Sequence, residues 1–285
     1  MTLSCCDDIL ETGDSMKTLY VSDLDGTLLH SDQRTSEYTN KVIGELVGKG
    51  MLFSYATARS YSTASKAAKG LTAAFPVIVY NGTFIRDNAT GKALLENLFD
   101  KARAVKVAAD LISCGVSPIV YSLIGGEERF SYIEKKISDA ERDFIATRKA
   151  DYRDRPIESF EQLTEGEIFY FACIDQPQKL EPLYEKYKGE FNCYYQSDIY
   201  SGEQWLEIMP RSASKANAAR QLAKLLGCNK IVAFGDGIND TPLFEIADEA
   251  YAVGNACDEL KRIADGVIGT NDDDGVAKFL LEHYK

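Results

Sequence analysis

Several residue types are scarce in this sequence, and each shortage excludes a kind of protein. Only two of the 285 residues are histidines, His30 and His283, so acid–base chemistry must fall mainly to carboxylates. The seven cysteines are odd in number and include no Cys-x-x-Cys pair, which argues against a disulfide framework or a zinc site. No apolar run approaches the roughly 18 residues of a membrane span, and the phosphate-binding P-loop motif is absent. The sequence therefore predicts a cytoplasmic protein with reduced thiols, no membrane segment and no P-loop kinase activity.

Basic residues are also scarce relative to acidic ones. The 32 lysines and arginines stand against 44 aspartates and glutamates, a net charge of −12 at pH 7. This balance argues against a nucleic-acid or anionic-membrane partner, and nothing in the sequence indicates the oligomeric state. The first fifteen residues lack the basic and apolar regions of a secretory signal. We expect residues 1–15 to form a disordered acidic leader.

One stretch near the start of the chain organises the rest of the sequence. An apolar run from Leu19 to Val21 predicts a buried parallel strand, and it leads into Asp23, Asp25 and Gly26. Ligands bind beyond the carboxyl ends of such strands. Two carboxylates about 4 Å apart repel by about 4 kcal/mol at an effective dielectric constant near 20, so we expect a cation beside them. The alternative is an ordinary solvated turn, because Asp and Gly are common turn residues.

Two more apolar strands come next, separated by segments with helical periodicity. Strands that are apolar almost throughout and alternate with helices predict a parallel sheet with helices on both faces. Right-handed crossovers bring the strand ends to one edge of the sheet, so Asp23, Thr57 and Asn81 should converge. The predicted elements are strands at 51–56 and 76–80 and helices at 35–49 and 60–69.

The amino-acid composition of the chain changes between residues 100 and 207. This segment contains nine of the sixteen tyrosines and the only tryptophan, Trp205. It predicts an inserted α/β cap domain between two parts of the core, 16–99 and 208–285. We interpret the cap tyrosines as packing or rim residues rather than as a set that stacks on a substrate. The clearest elements in the cap are a helix at 101–113 and strands at 118–123, 168–174, 191–195 and 205–209.

The alternation of helices and apolar strands that precedes residue 100 resumes after the cap. A helix is predicted at 215–226 with Gly227 at its end, followed by strands at 230–234 and 250–253. The acidic run 271–275 lacks the ligand spacing of a calcium loop, so we expect a solvated loop there.

Four short motifs at these strand ends resemble those of the haloacid dehalogenase superfamily of phosphatases, in the same order. The resemblance covers Met16 to the C-terminus. It extends to the Cof-type branch, subfamily IIB, through Asn81-Gly82 and the 271–275 segment, and Ala58 departs from the commoner Thr-Gly-Arg. The resemblance implies a Rossmann-like parallel-sheet core with an inserted C2-type α/β cap. The motifs are Asp23-x-Asp25-Gly26-Thr27, then Thr57, Lys215, and Gly235-Asp236-Gly237-x-Asn239-Asp240.

The resemblance also implies a role for each motif residue. Asp23 would be the nucleophile that forms an aspartyl-phosphate, and Asp25 would be the acid and base, with Thr57 and Lys215 completing the catalytic set. The substrate-binding set would comprise Thr57, Arg59, Asn81, Gly82, Lys215 and Asn239. The Mg²⁺ ligands would be Asp23, Asp25 through its carbonyl, Asp236 and Asp240.

The predicted function is hydrolysis of small phosphorylated metabolites, most plausibly sugar phosphates, by a Mg²⁺-dependent phosphatase. The first alternative is a phosphomutase or phosphotransferase, because the same aspartyl-phosphate can return its phosphoryl group to a bound sugar. The second is a regulatory phosphate-binding protein without catalysis. Intact Asp23, Asp25 and Lys215 argue against that second alternative.

Overall fold

Two β-sheets organise the chain. The computed structural model describes residues 17–148, 150–197 and 202–284, so the predicted leader at 1–15 lies outside the described residues. The strands in chain order are β1 (Thr18–Asp23), β2 (Leu52–Ala56), β3 (Pro76–Val79), β4 (Phe84–Asp87), β5 (Ala93–Glu96), β6 (Ile119–Ile124), β7 (Glu127–Ile133), β8 (Asp154–Ile157), β9 (Glu167–Ile174), β10 (Asn192–Ser197), β11 (Gln204–Met209), β12 (Lys230–Gly235), β13 (Glu249–Ala252) and β14 (Gly266–Val267).

Helices connect most of these strands. Serines cap several of them: the side chains of Ser36, Ser60 and Ser214 each accept a hydrogen bond from the backbone N–H three residues on. Across 17–148, 150–197 and 202–284, no helix is both long and apolar enough to cross a membrane. The helices are α1 (Glu37–Gly48), α2 (Tyr61–Ala67), α3 (Lys101–Ser113), α4 (Asp139–Ala146), α5 (Phe160–Leu163), α6 (Pro177–Tyr187), α7 (Lys215–Leu226), α8 (Thr241–Phe244), α9 (Asp258–Ile263) and α10 (Gly275–His283).

The larger sheet is the core, with strand order β14-β13-β12-β1-β2-β3-β4-β5. The strands from β14 to β3 run parallel, and β4 and β5 add an antiparallel edge. Leu19 and Val21 of β1 are fully buried, as expected for a central strand covered on both faces. Because the chain order reverses on either side of β1, its carboxyl end opens a crevice in which ligands can bind.

The smaller sheet forms the cap, with strand order β10-β11-β9-β6-β7-β8. One face packs against α3 and α6 through an apolar cluster that includes Leu111, Phe171 and Leu180. The other face packs toward the core, where a register shift in the β6–β9 pairing lets both Phe169 and Tyr170 join the core cluster. Strand β11 runs to Met209, two residues past the predicted domain boundary at 207, and the predicted division itself stays a prediction.

A buried polar network joins the two sheets. Arg86 of the core lies 2.7 Å from Glu128 of the cap, and the Tyr80 hydroxyl donates to the other oxygen of Glu128 at 3.0 Å. Arg153 of the cap donates to the same hydroxyl at 2.8 Å and pairs with Asp151 at 2.6 Å. Because the four contacts lie mostly out of water, losing one partner would leave a buried group unpaired.

The prediction of a solvated loop at 271–275 holds for Asp272 and Asp273, which are exposed, but is wrong for Asn271 and Asp274. Asn271 is buried, and Asp274 accepts hydrogen bonds from the hydroxyl of Ser36 at 2.5 Å and from Nε2 of His30 at 2.9 Å. The loop after β1 brings polar groups that need acceptors when they leave water, and the acidic run supplies them. The run therefore fastens the C-terminal segment to the start of the core.

Candidate active site

The carboxyl ends of four core strands bring the predicted motifs together. Asp23 ends β1, Thr57 follows β2, Asn81 follows β3 and Asp236 follows β12. The backbone N–H of Asn81 donates to the carbonyl of Thr57 at 2.9 Å, which ties the second and third of these ends to each other. Lys215, the third of the four motifs, is the first residue of α7, whose N-cap is Ser214.

Lys215 lies between two of the carboxylates. Its Nζ donates to Oδ1 of Asp23 and, at 2.8 Å, to Oδ1 of Asp240. The three side chains are at most 7% exposed. Hydrogen bonds between buried, oppositely charged groups fix the position of the Asp23 carboxylate within the crevice.

The electrostatics of this cluster follow from its burial. Burial alone lowers the pKa of an amine, but the charges of Asp23 and Asp240 outweigh it and raise the pKa of Lys215 above its ordinary value. Burial also raises the pKa of Asp23, against the attraction of the Lys215 ammonium and with the repulsion of the other carboxylates. An additional positive charge would therefore favour the ionised form of Asp23.

The donor set fits a divalent cation. Asp23, Asp236 and Asp240 each offer a carboxylate oxygen, and these oxygens lie within 4.8 Å of one another. Lys215 neutralises one of the three charges, which leaves an excess of two. Oxygen ligands with that charge suit Mg²⁺. At Gly26, whose φ is 76°, a Cβ would lie 2.5 Å from Oδ2 of Asp236, so only glycine lets this carboxylate approach the turn.

Asp240 also supports the turn that carries Asp236. Its Oδ2 accepts hydrogen bonds from the backbone N–H groups of Asp236 at 3.1 Å and Gly237 at 3.2 Å. Its Oδ1 contacts Lys215. Both oxygens thus have protein partners, through which Asp240 positions Asp236 and Lys215, and its predicted direct contact with a cation stays a prediction.

The Asp25 side chain turns away from this cluster. It is 47% exposed and forms a bidentate contact with Arg59, whose Nε and Nη2 lie 3.0 and 2.5 Å from Oδ1. The hydroxyl of Thr57 donates to its Oδ2 at 3.3 Å. The side chain therefore lies at the mouth of the crevice, outside the carboxylate cluster, and a metal contact would have to use the backbone carbonyl, as predicted. The metal role of Asp25 and the substrate role of Arg59 stay predictions.

The other predicted substrate-binding residues, Asn81, Asn239 and Gly82, differ in their burial and in what they contact. Asn81 is buried beside Thr57 and Asn239 is exposed. A Cβ at Gly82 would lie 2.2 Å from the carbonyl oxygen of Ser214, so this glycine lets the loop after β3 pack against the start of α7. Gly82 thereby helps to place Lys215, and direct contact of these three residues with a substrate stays a prediction.

The sequence did not single out a cavity of about 370 Å³ between the cap sheet and the loop after β2. Tyr121 and Tyr170 line it, whereas Tyr184 and Tyr195 stack on each other elsewhere in the cap. Glu207, an acidic residue within the otherwise apolar stretch 205–209, was the signal that could have pointed to it. Aromatic rings and guanidinium groups complete much of the wall, from Arg59, Phe130, Phe144, Arg148 and Trp205.

Comparison with known proteins agrees with this geometry. A family model described as haloacid dehalogenase-like hydrolase matches residues 20–280. The phosphatases YitU and YwtE of Bacillus subtilis, both named 5-amino-6-(5-phospho-D-ribitylamino)uracil phosphatase, are similar to the chain. YitU is 25% identical over 93% of this chain and 97% of its own length, and YwtE is 30% identical over 90% and 95%.

Solved structures show the same likeness. The crystal structure of TM0651 from Thermotoga maritima superposes with a TM-score of 0.75 at 26% identity, covering 95% of this chain and 98% of that one. A haloacid dehalogenase-like hydrolase from B. subtilis superposes with a TM-score of 0.72, also at 26% identity, covering 95% and 100%. The chain therefore belongs to the haloacid dehalogenase-like hydrolases and is a phosphatase of that family.

Proposed function

We propose that the chain hydrolyses small phosphorylated metabolites with the help of Mg²⁺, and that Asp23 is the nucleophile. The observation that supports this proposal best is the buried contact of Asp23 with Lys215 beside Asp236 and Asp240. A carboxylate held rigidly at a strand end, with one ammonium beside it and room for a dication, suits attack on a phosphate monoester.

The proposed reaction has two steps. In the first, a carboxylate oxygen of Asp23 attacks phosphorus, the bond between phosphorus and the ester oxygen breaks, and Asp25 gives its proton to that oxygen. In the second, Asp25 takes a proton from water, the water oxygen attacks phosphorus, and the bond to Asp23 breaks to release inorganic phosphate. Lys215 offsets negative charge beside Asp23 in both steps.

Other residues would hold the phosphate and the metal in this scheme. Mg²⁺, bound by Asp23, Asp236 and the Asp25 carbonyl, would neutralise charge on the phosphoryl oxygens. Thr57, whose hydroxyl faces Asp25, would donate to a phosphoryl oxygen. Arg59 and Asn239 lie at the mouth of the crevice, where the remainder of the substrate must pass.

The similarity to two named phosphatases of a ribityl phosphate supports a small phosphorylated metabolite as the substrate. Sugar phosphates, predicted from the sequence, fit that class. The cytoplasmic location predicted from the cysteines places the enzyme where such metabolites occur.

A phosphate-release screen over phosphorylated metabolites, run with Mg²⁺ and with EDTA, tests the proposal. We expect phosphate release in Mg²⁺ and its loss in EDTA. Without the metal, the negative charges of the carboxylate cluster repel the phosphate dianion and oppose its binding. Full turnover in EDTA would contradict the metal dependence. Conversion of a sugar phosphate to an isomer without phosphate release would instead favour the phosphomutase.

A further inference from the structure

The two connections between the core and the cap both contact the loop after β3. The first connection, between β5 and α3, begins at Asn97, whose backbone N–H donates to the carbonyl of Thr83 at 2.7 Å. The second, between β11 and α7, ends at Ser214, whose carbonyl oxygen would lie 2.2 Å from a Cβ at Gly82. Because Ser214 is the N-cap of the helix that begins at Lys215, the position of this loop affects where Lys215 lies.

The loop after β3 has a backbone that most residues avoid. The φ angles of Tyr80, Asn81 and Gly82 are 50°, 52° and 95°, and the first two residues are not glycines. A residue with a Cβ is disfavoured in this left-handed region, so other contacts must hold the loop there. The N–H of Tyr80 donates to the carbonyl of Arg59 at 2.9 Å. The N–H of Asn81 donates to that of Thr57, also at 2.9 Å. Neither bond reaches Gly82, the residue that touches the second connection.

The side-chain amide of Asn97 holds Gly82. Asn97 is 6% exposed, and its Nδ2 donates to the Gly82 carbonyl at 2.8 Å and to Oε1 of Gln221 at 3.1 Å. Its Oδ1 accepts a hydrogen bond from Nε2 of Gln221 at 3.2 Å. Both N–H groups of the amide therefore have an acceptor, and the two amides bond to each other in both directions. Gln221 lies on α7, so the pair joins the first connection to the helix into which the second one leads.

The start of α7 must be placed accurately for the proposed chemistry. The ammonium of Lys215 donates to both Asp23 and Asp240 in a buried cluster. A displacement of about 1 Å can slow a reaction about 100-fold when it moves groups that must be aligned. The contacts of Asn97 with Gly82 and α7 therefore bear on the alignment of Asp23 for attack.

We propose that Asn97 is a positioning residue for the reaction. Its amide fixes the loop after β3 and the start of α7 relative to each other, and thereby holds Lys215 against Asp23. The hydrogen bonds of Asn97 go to this loop and to α7, so Asn97 acts through Lys215 and does not itself touch the reacting atoms. The inference rests on the proposed function, in which Asp23 attacks phosphorus beside Lys215.

Kinetics with p-nitrophenyl phosphate and Mg²⁺ test the effect on turnover. Asn97→Asp keeps the shape of the side chain but replaces its two N–H groups by a carboxylate oxygen, which repels the Gly82 carbonyl. We expect kcat to fall about tenfold or more, and KM to change less than kcat, because the proposed metal ligands stay in place. Asn97→Ala, which adds no charge, should also lower kcat. Gln221→Met should lower it less, since Asn97 keeps its bond to Gly82.

Asn88→Asp is the matched control. Asn88 is half-buried in the turn between β4 and β5, and its side-chain amide also donates to a backbone carbonyl, that of Leu71 before β3, at 3.0 Å. In urea unfolding, we expect Asn88→Asp and Asn97→Asp both to have a lower midpoint than wild type, because each loses a bond from an amide to a carbonyl. Only Asn97→Asp should lower kcat of the folded enzyme.

The position of Lys215 can also be followed without catalysis, by NMR of protein that contains ¹⁵N-labelled lysine, in EDTA. An ammonium buried between two carboxylates exchanges its protons slowly, so Lys215 should give a ¹H–¹⁵N signal that Lys215→Met removes. We expect Asn97→Asp and Asn97→Ala to broaden or abolish this signal. Asn88→Asp should preserve it.

The two measurements separate this inference from the proposed function. If the Asn97 variants keep kcat within about twofold of wild type, or leave the Lys215 signal unchanged, Asn97 only stabilises the fold and the positioning role is overturned, while the phosphatase assignment stands. An equal fall in kcat for Asn88→Asp would overturn it too. If the wild-type protein releases phosphate from no ester, the proposed function fails, and the NMR signal alone then decides whether Asn97 positions Lys215.

Discussion

The core and the cap place their functional side chains in different ways. In the core, Asp23, Thr57 and Asp236 each follow a parallel strand, so a short sequence motif is enough to present them at the sheet edge. In the cap, Tyr121 and Tyr170 lie opposite each other in mid-strand, on the antiparallel pair β6–β9. The comparison teaches that the core site is encoded by short local motifs, whereas the shape of the cavity under the cap sheet depends on strand pairing.

Their charges differ as well. The core cluster of Asp23, Asp236, Asp240 and Lys215 has two more carboxylates than ammonium groups, whereas the cap cavity has the guanidinium of Arg148, which pairs with no carboxylate among the described residues. Four sets of substitutions test this contrast. They change Asp23 and Asp25 in the core, the buried network between core and cap, the proposed metal site, and Asp274 near the C-terminus.

The largest effect is expected at Asp23, the proposed nucleophile. Asp23→Asn should lower kcat by about 10⁴-fold or more, because an amide cannot attack phosphorus. Asp25→Asn should slow release of the phosphoryl group, so that a phosphorylated protein accumulates and appears in intact-mass spectra. Asp143→Asn, an exposed change in the cap, should leave kcat unaltered. A phosphate adduct on the Asp23→Asn protein would contradict the role of this residue.

The link between core and cap should contribute several kcal/mol. Glu128→Gln would leave Arg86 and Arg153 without their shared carboxylate, and breaking a buried ion pair costs about 3–5 kcal/mol in the free energy of unfolding. Urea unfolding measures the loss. Glu127→Gln is the matched control, since its pairing with Arg129 is exposed and such pairs contribute about 1 kcal/mol or less. Equal losses for the two variants would show that the buried network does not stabilise the protein.

Metal binding should stabilise the core by a smaller amount. A ligand at a hundredfold excess over its Kd adds about 2.7 kcal/mol, and each kcal/mol raises the Tm of a large domain by roughly 2–4 °C. We expect Mg²⁺ to raise the Tm, and Asp236→Asn to reduce that rise while leaving the metal-free protein no less stable. A Tm that is the same in EDTA and in excess Mg²⁺ would contradict the proposed site.

The smallest effect on stability is expected at Asp274, which binds the acidic run 271–275 to the start of the core. Burial raises the pKa of Asp274, but hydrogen bonds from Ser36, Thr39 and His30 outweigh it and hold that pKa below its ordinary value. The stabilisation is therefore complete above the ordinary Asp pKa and is lost as pH falls through the lowered one.

Asp274→Asn should reduce the free energy of unfolding by about 1–2 kcal/mol at pH 7, and the difference from wild type should shrink as the pH falls below about 4. Asp258→Asn, an exposed change on α9, serves as the control in the same urea titrations. A difference that persists undiminished in acid would show that the Asp274 charge is not what holds the segment.

Much of the core could be predicted because its signals are local. Helix α7 begins at Lys215, after the N-cap residue Ser214, and ends at Leu226. Gly227 adopts the left-handed conformation that terminates the helix, as predicted. The cap helix α3 likewise spans the predicted 101–113. Each boundary depends on one residue whose backbone or side chain favours a start or a stop.

The features that could not be predicted depend on partners far apart in the chain. His30 and Asp274, 244 positions apart, meet through a hydrogen bond that no local pattern indicates. The cavity needs the register of Tyr121 against Tyr170, and that register is set by tertiary packing. Arg148 stands near the end of a helix that no motif distinguishes from the other solvated helices of the cap.

The pairing of β1 with β12 also has a consequence for the order in which the enzyme matures. Val21 pairs with Ser54 on one side and with Ala233 on the other, so the central strand waits for a partner that the ribosome makes about 200 residues later. Asp23, Asp25 and Thr57 are synthesised early, but Lys215 and Asp236 join them only after the whole cap has emerged. Long-range pairing of this kind is slow to form. A nascent chain that ends before β12 thus has Asp23 but neither Asp236 nor the turn that holds it, so we expect phosphatase activity only when synthesis is almost complete.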